Sequence, residues 1–71
     1  MTLHIDNKEV TIKDIGRLIY FFPEGSHRNI NHPKTQIGQI LEVNKYGVKA
    51  IFGNNIMYVN TSKCQFLNLE T

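Results

Sequence analysis

The chain has 71 residues, 41% hydrophobic and 20% charged, with eight Lys+Arg against six Asp+Glu and a formal net charge of +2. One small domain fits that length, since domains average roughly 100 residues and rarely fall far below 50, so an interdomain active site and a doubly wound dinucleotide-binding sheet are excluded. The hydrophobic share is ordinary for a folded protein, no apolar run nears the ~20 residues of a membrane-spanning helix, and +2 is too small a charge to mark a nucleic-acid binder by itself.

Taken in chain order, residues 3–12 place two apolar alternations around Asp6-Asn7-Lys8. Asp and Asn favour turns by bonding their own backbone, so a short N-terminal β-hairpin is expected there. Thr11 then offers a capping hydroxyl, with one short helical turn and a stop at Gly16. Residues 17–22, Arg-Leu-Ile-Tyr-Phe-Phe, read as a strand halted by Pro23. Residues 23–36 are polar, hold both prolines and two histidines, and lack any helical or strand period. A loop of that length in a small domain is usually functional or mobile.

The second half reads as a meander. Strands are expected over 37–43, 48–52, 56–59 and 65–69, with turns at Asn44-Lys45-Tyr46-Gly47 and Gly53-Asn54-Asn55 and a capped single turn at 60–63. Within it Val48, Ala50, Phe52, Met57 and Val59 share one side and Ile51, Ile56 and Tyr58 the other; in the first strand Leu18, Tyr20 and Phe22 oppose Ile19 and Phe21. Five short strands and a long early loop predict an all-β domain folded as a closed or nearly closed small barrel.

The order of parts carries a resemblance. Gly16-Arg17-Leu18-Ile19-Tyr20, a loop with His32-Pro33, Gly38-Gln39-Ile40, Val43-Asn44 and Gly47-Val48-Lys49-Ala50-Ile51-Phe52-Gly53 resemble small SH3-like β-barrel proteins common in bacteriophage genomes. The resemblance spans residues 16–69 and rests on packing and turn positions. It implies a five-stranded SH3-like barrel over 16–69 with residues 1–15 as an added hairpin or helical turn, and an origin in a phage or mobile element. It carries over no catalytic or binding residue.

Chemistry-bearing clusters are absent from the pattern. Ser26 stands beside His27, but Glu24 in a mobile loop is weak support as the orienting acid, and His27 and His32 lack the further ligands that zinc requires. The carboxylates Asp6, Glu9, Asp14, Glu24, Glu42 and Glu70 fall singly, and the glycines form no phosphate-cradling loop. The expectation is therefore a protein that is not an enzyme and needs no cofactor or metal. Cys64 is a single cysteine in an apolar stretch, expected to be buried and inert. The residues at the start lack a signal-peptide pattern, so a cytoplasmic protein with no membrane partner is expected, in the host cytoplasm if phage-encoded.

Hydrophobic residues on both sides of several strands exceed what one small barrel encloses, so the outward ones are expected to meet either a partner or the chain's own N-terminal hairpin. The candidate binding residues are Tyr20, Tyr46 and Tyr58 as aromatic platforms, with His27, Arg28, His32, Lys34 and Lys49 as polar and cationic contacts. The leading expectation is a binding module for a host protein, using this aromatic face and the 23–36 loop. A nucleic-acid or nucleotide binder (an oligomeric sponge for nucleotide signals included) and a homo-oligomeric structural protein are the alternatives.

Overall fold

The computed structural model describes residues 3–25 and 27–67. Their elements are β1 (His4–Ile5), β2 (Lys8–Glu9), a 3₁₀ turn (Ile12–Asp14), β3 (Leu18–Phe21), β4 (Gln36–Asn44), β5 (Gly47–Phe52), β6 (Asn55–Val59), a second 3₁₀ turn (Thr61–Lys63) and β7 (Cys64–Phe66). The protein is all-β, with β1 and β2 forming a hairpin and the other five strands one antiparallel sheet in the order β6-β5-β4-β3-β7.

Local chemistry sets the turns. Asp6 and Asn7 have φ of 55° and 65°, a type I′ pair that joins Ile5 to its partner Lys8. At the β5–β6 turn Gly53 takes φ of 64°, where a Cβ would be strained. Thr11 caps the first 3₁₀ turn as half of a reciprocal capping box with Asp14: its hydroxyl accepts from the Lys13 N–H at 3.2 Å, and its own N–H donates to the Asp14 carboxylate at 2.9 Å.

Alternation along the strands gives the sheet two faces. Ile19, Ile40, Val48, Ala50, Phe52, Val59, Cys64 and Phe66 turn inward and are buried. Val48, Ala50, Phe52, Val59 and Met57 thus fall on the side their spacing predicts, Met57 only partly buried. In β4 the phase changes at Leu41, an extra residue that bulges between the pairs Ile40–Ala50 and Glu42–Lys49. Before the bulge Gly38 and Ile40 point inward; after it Val43 does, packed against the core. A plain period-two reading of 37–43 cannot carry that switch.

The barrel expectation changes here. No ladder joins β6 to β7 among the described residues, so the sheet remains open. After Val59 the chain enters the second 3₁₀ turn, capped by Asn60, and leaves it to pair with β3 instead of returning along β6. The N-terminal hairpin covers the inner face at the β7 end, contacting β7 and the second 3₁₀ turn. Its Ile5 and Val10 are buried in the same core as the sheet. The Asp6 carboxylate also accepts from the Phe66 N–H at 2.9 Å, tying the hairpin to β7.

Bounds shift in every strand of the sheet; β5 and β6 each begin one residue early, at Gly47 and Asn55. β3 ends at Phe21, so Phe22 leaves the alternation and is buried beyond the strand. β4 begins at Gln36 and runs through Asn44, trimming the loop and the following turn. The last strand covers Cys64–Phe66; the part expected over 68–69 lies outside the described residues. No helix among the described residues is long and apolar enough to cross a membrane.

Candidate functional site

Two regions gather the candidate residues: the outer face of the sheet, and a cleft at the end of β3. On the outer face, register puts Leu18, Gln39, Ile51 and Ile56 in one row across four strands. A neighbouring row holds Gln65, Tyr20 and Ile37, and the row on the other side holds Glu42, Lys49 and Tyr58. Ile37 is 53% exposed and Ile56 58% exposed, while Leu18, Tyr20 and Ile51 are half-buried. The N-terminal hairpin leaves this face open, because it packs on the inner side.

Polar groups border the apolar rows. Asn44 Nδ2 donates to Glu42 Oε2 at 2.7 Å and to the Tyr58 hydroxyl at 3.0 Å. Lys49 Nζ lies 3.5 Å from Glu42 Oε1 and 5.4 Å from the centre of the Tyr58 ring. The Asn44 hydrogen bond, then the Lys49 charge, holds the Glu42 carboxyl below its ordinary range. These groups satisfy one another, so Lys49 and Tyr58 form an ordered rim. Tyr46 stands at the β4–β5 tip, 75% exposed, with the Lys45 amine 5.2 Å from its ring centre.

The cleft forms where the chain leaves β3. The Phe22 N–H donates to the Lys63 carbonyl at 2.8 Å, setting the start of the loop against the second 3₁₀ turn. The loop returns through His27 and Arg28, whose φ values of 54° and 55° are left-handed without glycine's freedom. Arg28 holds this return: Nη1 donates to the Ser62 carbonyl at 2.8 Å, Nη2 to the Cys64 carbonyl at 3.4 Å, and the guanidinium lies 5.0 Å from the Phe22 ring centre. Between loop and turn is a cleft of about 330 Å³, with Pro23, Glu24 and His27 on one side and Ser62 and Lys63 on the other.

The eight predicted site residues thus divide. His27 and Arg28 line the cleft, Arg28 also acting as its clamp. His32 and Lys34 lie within the loop, where His32 Nδ1 accepts from the Lys34 N–H at 3.0 Å, a turn-forming contact. Tyr20, Lys49 and Tyr58 share the outer face, and Tyr46 is at its hairpin tip. The cations Arg28 and Lys49 do not form one patch: Arg28 belongs to the β7 side and Lys49 to β5, with β3 and β4 between, and Lys49 is paired.

Sequence reasoning missed the cleft's other wall. Ser62 and Lys63 read only as part of a capped turn, and no local signal tells that this turn meets residues nearly forty positions earlier. Ile37 and Ile56 were recoverable, since each alternates with an inward residue. Burial pushes the Cys64 thiol up to about 11, in keeping with an inert buried cysteine. Ser26, considered beside His27 as a nucleophile, lies outside the described residues. Among the described residues no three His, Cys, Asp or Glu side chains gather as a metal site would require. No family model matches the chain, and no curated protein or solved structure matches it.

Proposed function

We propose that this protein is a non-catalytic binding module that engages a protein partner through the outer face of its sheet. The observation that carries the reading is the open apolar surface made by Leu18, Tyr20, Ile37, Ile51 and Ile56, bordered by the Tyr58–Lys49–Glu42 rim. Small monomers seldom leave a contiguous apolar surface to water, and an apolar centre with a polar rim is how protein interfaces are built. The chain's own hairpin is spent on the other face. We read the bent sheet with its hairpin cover as an open relative of the SH3-like barrel, and the protein as an accessory factor of a phage or mobile element acting on a host protein. Both points rest on the sequence resemblance.

The test compares the wild-type chain with Ile56→Asp and Ile37→Asp, at positions exposed enough to keep the fold. A single partner retained from host lysate in stoichiometric amount by the wild type, and lost from both variants, supports the reading. Equal retention by the variants, or no partner at all, refutes it. Sedimentation of the same proteins separates a foreign partner from a second copy: a wild-type dimer that Ile56→Asp dissociates assigns the face to self-association.

A further inference from the structure

We propose that the cleft lined by residues 22–25, His27 and Arg28 on one side and by Ser62 and Lys63 on the other binds a phosphate monoester, as a site separate from the outer face. Charge pairing is the first ground. The two ion pairs among the described residues are Arg17–Asp14 and Lys49–Glu42. Arg28 and Lys63 both line the cleft, and neither has a carboxylate partner there, although Glu24 lines it too. Two unmatched cations in one concavity favour a dianion over a monoanionic carboxylate, and a phosphate monoester carries about −1.5 to −2 at neutral pH.

Preorganisation is the second ground. Two carbonyls and the Phe22 ring fix the Arg28 guanidinium, which leaves three of its five N–H groups uncommitted. A fixed planar fork suits phosphate oxygens and loses little freedom on binding. Lys63, exposed on the opposite wall, supplies a mobile point charge. The backbone is the third. Two consecutive non-glycine residues in the disfavoured left-handed region place His27 and Arg28 in the lining of the cleft. Strain held in place by long-range contacts is a recurrent mark of a working site. The volume, about 330 Å³, lies at the lower end of small-ligand pockets, and Phe22 and Pro23 give it an apolar side for the body of an ester.

The experiment titrates the ¹⁵N-labelled chain with inorganic phosphate and, separately, with adenosine monophosphate at matched ionic strength, following amide shifts. Saturable shifts centred on residues 22–25, 27, 28 and 61–64 are expected with at least one probe. Lys63→Glu should weaken that binding about tenfold, and Glu24→Gln should tighten it a few-fold. Response to both probes assigns recognition to the phosphate group itself, whereas response to the nucleotide alone adds the ester's body to the site. No saturable shift in the cleft with either probe, or unchanged affinity in Lys63→Glu, overturns the proposal. Ile56→Asp should bind phosphate as the wild type does, so loss of the outer-face partner and loss of phosphate are separate outcomes.

Discussion

Gly38→Ala tests the inner packing of the sheet directly. Gly38 sits in β4 opposite Ile19, and the Phe52 ring lies over it. A Cβ built there overlaps the edge of that ring and stands 2.8 Å from the Ile51 carbonyl oxygen. The ring is boxed in, 5% exposed and tilted against Phe21 at a centroid distance of 5.8 Å, so it cannot swing aside without giving up burial. Displacing a buried phenyl ring costs about 1.5–3 kcal/mol, and overpacking by one carbon about 1–3 kcal/mol; the two overlap here. Against them stands the 0.4–1 kcal/mol or so that alanine gains by restricting the unfolded chain. A net loss of about 2 kcal/mol follows, which lowers Tm by roughly 8–16 °C in a domain of this size. Calorimetry or urea unfolding measures it, and a double-mutant cycle with Phe52→Leu assigns the cause. In the Leu background the same glycine change should cost less by about 1 kcal/mol or more. Wild-type stability in Gly38→Ala, or strict additivity in the cycle, would refute the argument.

Three more outcomes follow from contacts described above. Asp6→Ala removes the acceptor for the Phe66 N–H and puts alanine at φ 55°, so urea unfolding should show a loss of about 2–3 kcal/mol, while Asp6→Asn, which tolerates that φ and keeps an oxygen, should lose less than half as much. At the loop return, thermal unfolding should find His27→Gly as stable as wild type or up to about 1 kcal/mol more stable, because it relieves φ; Arg28→Gly should be less stable despite the same relief, having lost the clamp on the Ser62 and Cys64 carbonyls. Cys64 gives a pH dependence. Its thiol ionises near 9.0 when unfolded and about 11 when folded, so the unfolded chain releases its proton first and the contribution, complete below 9, is lost as pH rises to 11. The stability difference between wild type and Cys64→Ala should therefore shrink by about 2 kcal/mol across that window, and a constant difference would contradict it.

Much of the sheet was legible because period-two alternation and turn chemistry act locally. Asp6-Asn7, Gly53 and Thr11 announce their own conformations, and Val48, Ala50, Phe52 and Val59 announce a buried face. Three features were hidden. The Leu41 bulge reverses the alternation within β4, and an extra residue looks like any other until its partner strand is known. Phe22 reads as the next step of a strand, yet the strand stops one residue earlier and the ring is buried beneath Arg28. The cleft depends on Arg28 reaching carbonyls 34 and 36 positions away. Strand count argues for a closed or nearly closed barrel, whereas the described strands form one open sheet in which β7 pairs with β3 and not with β6. Of the site, the outward aromatic and aliphatic residues were readable, and the surroundings of the two cleft cations were not.

The bond between Asp6 and Phe66 joins residues 60 positions apart. At roughly 5–20 residues per second of synthesis, the acceptor is made about 3–12 s before its donor. A hairpin closes in microseconds, so β1 and β2 are ready almost at once and have nothing to dock on. Ile5 and Val10 must wait in water until β7 has arrived, and β3 waits with them for its second neighbour. The newborn chain therefore passes through a long interval with its future interior uncovered, when a chaperone or another nascent copy competes for the same surfaces. Rearranging the order of segments so that β7 precedes the hairpin would shorten the interval between the making of Phe66 and of Asp6.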